Sequence, residues 1–454
     1  MKSSFFTLNS DTNRLRISKA ILYYILLFLV ILVSYRVLLT SILYYVEIVL
    51  ELAFEVFIVI YLGYRVTLRI FNKNYRLNTL EVYFGLLFFL PIIPAVAALN
   101  EFGQPLFYGL GTFRDFYLLF FSLVIYNMLR RGEISIELLE RAFVGVALFN
   151  MAFSYFLSLA VDPSAFQESN LAGSNDAKGG EVYFRFNMAM FFFGSTYFFV
   201  KAFYRKNYIY FGYSALFLIY VVFFRLDRTS MAVNAAAIVA FFFTAVSART
   251  QLLTLFKLII PLIMGLIVAY FIVPEIFEQY IDMFADAISS ATGSGVESEE
   301  DTIRLVEAQV AIDGIKEHPF LGNGKISNEW EPLGYNRFYP YFFASDVGIL
   351  GQTFMYGIFG VTILYGQFIL ALYFILRIKH IKRNVFLVSL KFYLLALALD
   401  ALTNGYITIY AAQSVMVLAV IYYFYQKDRQ IGIQLKLDRH RAAIENSKMN
   451  DLNE

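Results

Sequence analysis

Six arginines stand where so apolar a chain has little use for charge: Arg114 in TFRDF, Arg185 in YFRFN, Arg225 and Arg228 in FFRLDRTS, and Arg304 and Arg337 in one long polar stretch. A guanidinium offers paired N–H donors that match phosphate oxygens, so several around one cavity would cradle a diphosphate. The simpler fate of each is to snorkel or to pair locally, as Arg114 could with Asp115 and Arg228 with Asp227. The group is stronger evidence than any member. A second set is acidic. Glu47, Glu51 and Glu55 recur at steps of four, so they leave one face of one helix, and a carboxylate stripe is implausible against lipid. It serves either as an acid, base or proton relay or as an interhelical polar network answered by Arg36 or tyrosine hydroxyls. The network is favoured for Glu55.

Asp346, in FFASDVGILGQTFMYGIFG, stands where the long polar stretch meets an apolar run, a place from which a general base could reach a substrate at the membrane surface. The bland alternative is that Asp346 or Ser345 merely caps the helix that follows. Asp400 is a second acidic candidate by depth alone. The three histidines, His318, His380 and His440, are too scattered for a metal cluster, and there is no cysteine for thiolate ligation or disulfides. We therefore expect neither metal nor cofactor. His318, before Pro319, reads as structural.

The elements that must position these residues are membrane helices. The chain has 454 residues, 59% of them apolar, 19% aromatic and only 16% charged, with a formal net charge of +2. A soluble surface does not look like this. The dispersed basic residues give no footprint for nucleic acid. A span takes roughly 20 apolar residues to cross about 30 Å of hydrocarbon. Runs of that kind lie near 18–39, 43–63, 79–98, 113–130, 141–161, 183–203, 207–225, 229–248, 253–273, 347–375, 385–402 and 406–425. The fold class expected is thus an all-α integral membrane protein of about twelve spans, a single polytopic domain over 1–454.

Lys and Arg gather in alternate connections, which places both termini in the cytoplasm, with a cytoplasmic tail at 426–454. The short outer loops hold Arg114, Lys178, Arg185, Arg225 and Arg228 as their basic residues. Residues 274–345 form the large periplasmic loop between the ninth and tenth spans. Within it, Ile276 to Ile288 suggest an amphipathic surface helix, and a second helix starts near Ser298 and ends at His318-Pro319. The Gly- and Ser-rich stretch 162–181 reads as a loop. The tenth run is longer than one bilayer and should protrude or bend at its glycines. Neither paired repeats nor broken helices are evident.

RLVEAQVAIDGIKEHPFLGNG from Arg304, followed by SDVGILGQTFMYGIFG, resembles the outer-loop signature of the O-antigen ligase and polymerase superfamily, and DRTS at 227–230 resembles its arginine-bearing segment before the eighth span. The resemblance implies a GT-C-like glycosyltransferase on the periplasmic face, taking an undecaprenyl-diphosphate-linked oligosaccharide as donor, with the arginines holding the diphosphate. Membrane lipid, a flippase and a chain-length regulator are the partners it implies. Ligases of the superfamily carry a histidine about eleven residues before a glycine that aligns with Gly357. Here Ser345-Asp346-Val347 stand instead, which favours a Wzy-type repeat-unit polymerase for O-antigen, capsule or exopolysaccharide, with Asp346 as base. The spacing of Arg337 and Gly348 resembles one found in polymerases. The alternatives are a ligase and an ion-coupled transporter or flippase using the glutamate stripe.

Overall fold

A computed structural model describes residues 19–37, 44–71, 78–162, 172–175, 181–184, 186–225, 228–246, 251, 271, 299–331, 334–340, 342–405, 407–408 and 410–451. The apolar runs fold as helices because only a helix satisfies its own backbone within one segment in lipid. In order these are α1 (Lys19–Ser34), α2 (Tyr44–Phe71), α3 (Thr79–Phe89), α4 (Ile92–Phe102), α5 (Leu106–Gly111), a 3-10 turn (Asp115–Phe120) leading into α6 (Phe121–Arg131), and α7 (Ile136–Ala160). After a two-stranded hairpin come α8 (Ala189–Arg205), α9 (Ile209–Ile219) with a π-helical turn (Tyr220–Arg225), and α10 (Arg228–Ala245). Then follow α11 (Glu299–Glu317), a 3-10 turn (Gly334–Arg337), α12 (Gly348–Arg377), α13 (Val385–Thr403) and α14 (Ala411–Asp451).

Helices fall on every expected span except 253–273, which lies outside the described residues but for Phe271, as does all of the amphipathic stretch 276–288. Among the described residues, four stretches are long and apolar enough to cross a membrane: Thr79–Phe102, Ile136–Ala160, Gly348–Arg377 and Val385–Thr403. Shorter apolar helices cover Lys19–Ser34, Ile209–Arg225 and Thr229–Ala245. The fold is helical, as expected, with one small exception. Ala172–Asn175 pairs antiparallel with Glu181–Phe184, so part of the expected loop is a hairpin and the sixth helix starts at Ala189 rather than 183.

The bundle is held by aromatic packing as much as by aliphatic contact. Phe143, Phe193, Phe386 and Tyr393 are buried and meet edge-on or tilted, with centroids 5.3 to 6.3 Å apart. Pro91 separates α3 from α4, since its ring displaces the preceding turn and it has no N–H to give.

The most consequential departure from regularity is in α12, which is broken at Gly357 (φ 63°, ψ −179°), a conformation open essentially to glycine alone. The sequence expectation of a bend at the glycines is met there, and the expectation of no broken helix is overturned. The loop after α11 fills the break. Asn323 and Gly324 donate their backbone N–H groups to the carbonyls of Phe354 and Met355 (2.7 and 3.1 Å), while Ile358 N–H donates to Pro319 O (2.9 Å). A Cβ on Gly357 would lie 2.2 Å from Phe320 O, and one on Gly322 would lie 2.5 Å from Gly357 N. Gly322 of FLGNG and Gly357 of YGIFG thus face one another, and that close approach docks the polar segment onto the bundle.

Candidate active site at one end of the bundle

The C-terminal ends of α1, α4 and α13 and the N-terminal ends of α8, α12 and α14 gather at one end of the bundle. Asn187 Nδ2 donates to Tyr35 O (3.0 Å) and Tyr35 OH to Gln413 O (3.4 Å), tying α1 to the starts of α8 and α14. Buried Gln104, just beyond α4, fastens the polar segment: its Nε2 donates to Lys325 O (3.1 Å) and its Oε1 accepts Ser327 N–H (2.7 Å). Lys325 in turn donates to Thr112 O (3.3 Å) and lies over the Phe113 ring.

Asp346 is exposed on this end, in the turn that leads from the polar segment into α12. It does not cap that helix. The cap position is Val347 and no side chain bonds there, so the bland reading of Asp346 and Ser345 as caps is not what the geometry contains. Instead Ser345 Oγ donates to Asp346 Oδ1 (3.0 Å), and Asp346 N–H donates to Phe343 O (2.9 Å). The end of α13 closes the other side, with Gly405 N–H donating to Ser345 O (2.8 Å) and Gln352 Nε2 donating to Gly405 O. Gly351 lies directly beneath the Ala344 carbonyl.

Arg304, on α11, and Asp346 come together around Glu307. Glu307 is almost fully buried, accepts Phe343 N–H (3.0 Å) on its Oε1, and is close enough to both charges to feel them. Burial pushes its carboxyl above the usual range, Asp346 pushes the same way, and the Phe343 N–H and Arg304 oppose them. Sequence reasoning missed this residue. Its one signal is the three-residue step from Arg304, which puts both on one helical face.

The other candidates are anchored separately. Arg337 pairs with Glu331, donates from Nε to Gly334 O (3.0 Å) and lies 4.6 Å above the Phe102 ring. Arg225 Nη1 donates to Phe184 O in the hairpin (3.3 Å). Arg114 pairs with Glu55 (3.3 Å), and Arg36 with Glu51 (3.6 Å). Glu51 and Glu55 of α2 are therefore met by arginines just beyond α1 and just before the 3-10 turn, and Arg114 reaches a glutamate distant in sequence. Asp400 accepts Asn404 Nδ2 (2.8 Å). Arg185 lies outside the described residues, as do the side chains of Glu47, Asp115 and Arg228. Among the described residues, no three His, Asp or Glu side chains converge as metal ligands.

A cavity of about 510 Å³ opens between α1, α2 and α6, lined mainly by apolar groups such as Val30, Phe54, Phe57 and Phe121. Its lining includes none of the candidate residues.

Long apolar helices with charged groups at their ends mark a multi-pass membrane protein. Residues 213–365, which run from α9 through the docked loop into α12, match the family model for the O-antigen ligase, and the match supports the O-antigen ligase/polymerase superfamily. A search of curated proteins finds no match.

Proposed function

We propose that the protein is a polysaccharide polymerase that joins undecaprenyl-diphosphate-linked repeat units on the periplasmic face of a twelve-span inner-membrane bundle. The observation that carries this is Asp346: an exposed carboxylate, not engaged as a helix cap, in a turn held by Glu307 on a segment that matches the family. An acceptor sugar hydroxyl on one lipid-linked unit attacks the anomeric carbon of another. Asp346 takes the hydroxyl proton as the new C–O bond forms, and the bond from the anomeric carbon to the diphosphate breaks with inversion. The undecaprenyl diphosphate leaves with the bonding electrons, and guanidinium groups stabilise the growing charge on its oxygens. Arg304, Arg337, Arg114 and Arg225 are the described residues assigned to that task, with Arg185 and Arg228. The apolar cavity between α1, α2 and α6 is suited to part of a polyprenyl tail.

The absence of a histidine near Asp346 favours polymerase over ligase, and the pairing of Glu51 and Glu55 with arginines favours a polar network over a transport relay. The test is acceptor choice. Purified protein given only the lipid-linked repeat unit should build a ladder of products. Transfer that appears only when a lipid A core acceptor is added would mean a ligase. Unchanged repeat unit that crosses proteoliposomes in a pH-dependent way would mean a transporter.

A further inference from the structure

Glu307 is 3% exposed, an unfavourable place for a carboxylate unless it is put to use. Its Oε1 holds the N–H of Phe343 (3.0 Å), and the carbonyl of Phe343 holds the N–H of Asp346 (2.9 Å). One side chain thus grips the turn that presents Asp346. On the far side the turn is held by the backbone of Gly405. The charged groups that bear on Glu307 are Arg304 of its own helix and Asp346 of the turn. Helix α12, packed against α11, brings no charged side chain before Arg377. In the intervening segment His318 lies against Glu101 and Arg337 against Glu331.

We propose that Glu307 is a positioning residue for Asp346: it fixes the Phe343–Asp346 turn through the Phe343 amide. This rests on reading Asp346 as the base of the polymerase. A base held in one place meets the attacking hydroxyl in line, and a turn let loose does not. Glutamine at 307 keeps an oxygen for the Phe343 N–H, and alanine removes it.

The experiment compares Glu307→Gln and Glu307→Ala by hydrogen–deuterium exchange across 342–346 and by kcat and KM for polymerisation. In Glu307→Ala the Phe343 and Asp346 amides should exchange about tenfold to a hundredfold faster, as expected for losing a hydrogen bond to an ionised group. In Glu307→Gln exchange should stay near wild type and most of kcat should be kept, while Glu307→Ala lowers kcat at least about tenfold with KM little changed. Unchanged exchange in Glu307→Ala overturns the proposal whatever the rate does, and so does a Glu307→Gln variant that loses as much kcat as Glu307→Ala. Asp346→Asn, run in parallel, tests the base itself. Full polymerisation by that variant would remove the role of Asp346, and the exchange result would still report on the turn.

Discussion

Replacing Gly351 by alanine should abolish most activity while leaving the fold in place. A Cβ at 351 would stand 1.5 Å from the carbonyl oxygen of Ala344, where ordinary contact begins at 3.4 Å, so the two must part by about 1.9 Å. Ala344 is backbone, two residues before Asp346, and the turn is pinned at Phe343 by Glu307 and at Ser345 by Gly405. The strain therefore falls on the turn. Overpacking of this kind costs roughly 1–3 kcal/mol, and alanine returns about 1 kcal/mol of helix propensity. The net loss of stability is thus only about 0–2 kcal/mol. Catalysis is far less tolerant, because a displacement of about 1 Å in a reacting group can cost on the order of a hundredfold in rate. Gly366→Ala, on the same helix, is the control: its Cβ would meet Tyr83 at 3.5 Å, an ordinary contact. It should leave the rate unchanged and raise stability by about 0.4–1 kcal/mol. Single-turnover polymerisation and thermal melting of the two purified variants give both readouts. A Gly351→Ala protein within threefold of the wild-type rate, a bound set well inside the hundredfold expected, would refute the placement of the turn.

Other variants divide stability from chemistry. Arg36 and Glu51 are both buried, with side chains 8% and 2% exposed, so Arg36→Ala should destabilise by about 3–5 kcal/mol in a denaturation assay. Arg114 is half exposed, so Arg114→Ala should cost about 1 kcal/mol or less and show its effect in the polymerisation rate. The raised carboxyl of Glu307 stabilises the fold fully only below its ordinary value of 4.5, and that contribution is lost as pH rises through the folded value. Glu307→Gln should therefore melt at or above wild type near pH 7, with the gap closing on acidification. Asp428 behaves in the opposite sense. Burial acts to raise its carboxyl, but N–H donors from Lys379, His380 and Ile381 outweigh it and hold the group below its usual range. Asp428→Ala should lower the melting temperature at neutral pH, less so as acid protonates the wild-type carboxyl, with polymerisation unaffected.

Much of the helical frame was legible because a lipid solvent demands long apolar runs, and His318-Pro319 marked the end of α11 through the missing proline N–H. The address of Asp346 was legible for the same reason, as the junction of a polar segment with an apolar run. The partner of Glu55 was not, since a neighbour such as Asp115 is visible along the chain and Arg114 meeting Glu55 depends on how two helices pack. The break at Gly357 was legible only as a run too long for one bilayer; that FLGNG docks into it is a long-range backbone match. Glu307 hid in plain view, because an acid beside an arginine on a helix is usually a solvated pair, and burial by the following turn leaves no local mark.

The most direct test of the polymerase account is the in vitro reaction of purified protein with its lipid-linked repeat unit, wild type against Asp346→Asn, with both proteins shown to melt alike. The account predicts a product ladder from wild type and material halted at a single unit from the variant. A variant that builds the same ladder at the same rate would contradict it.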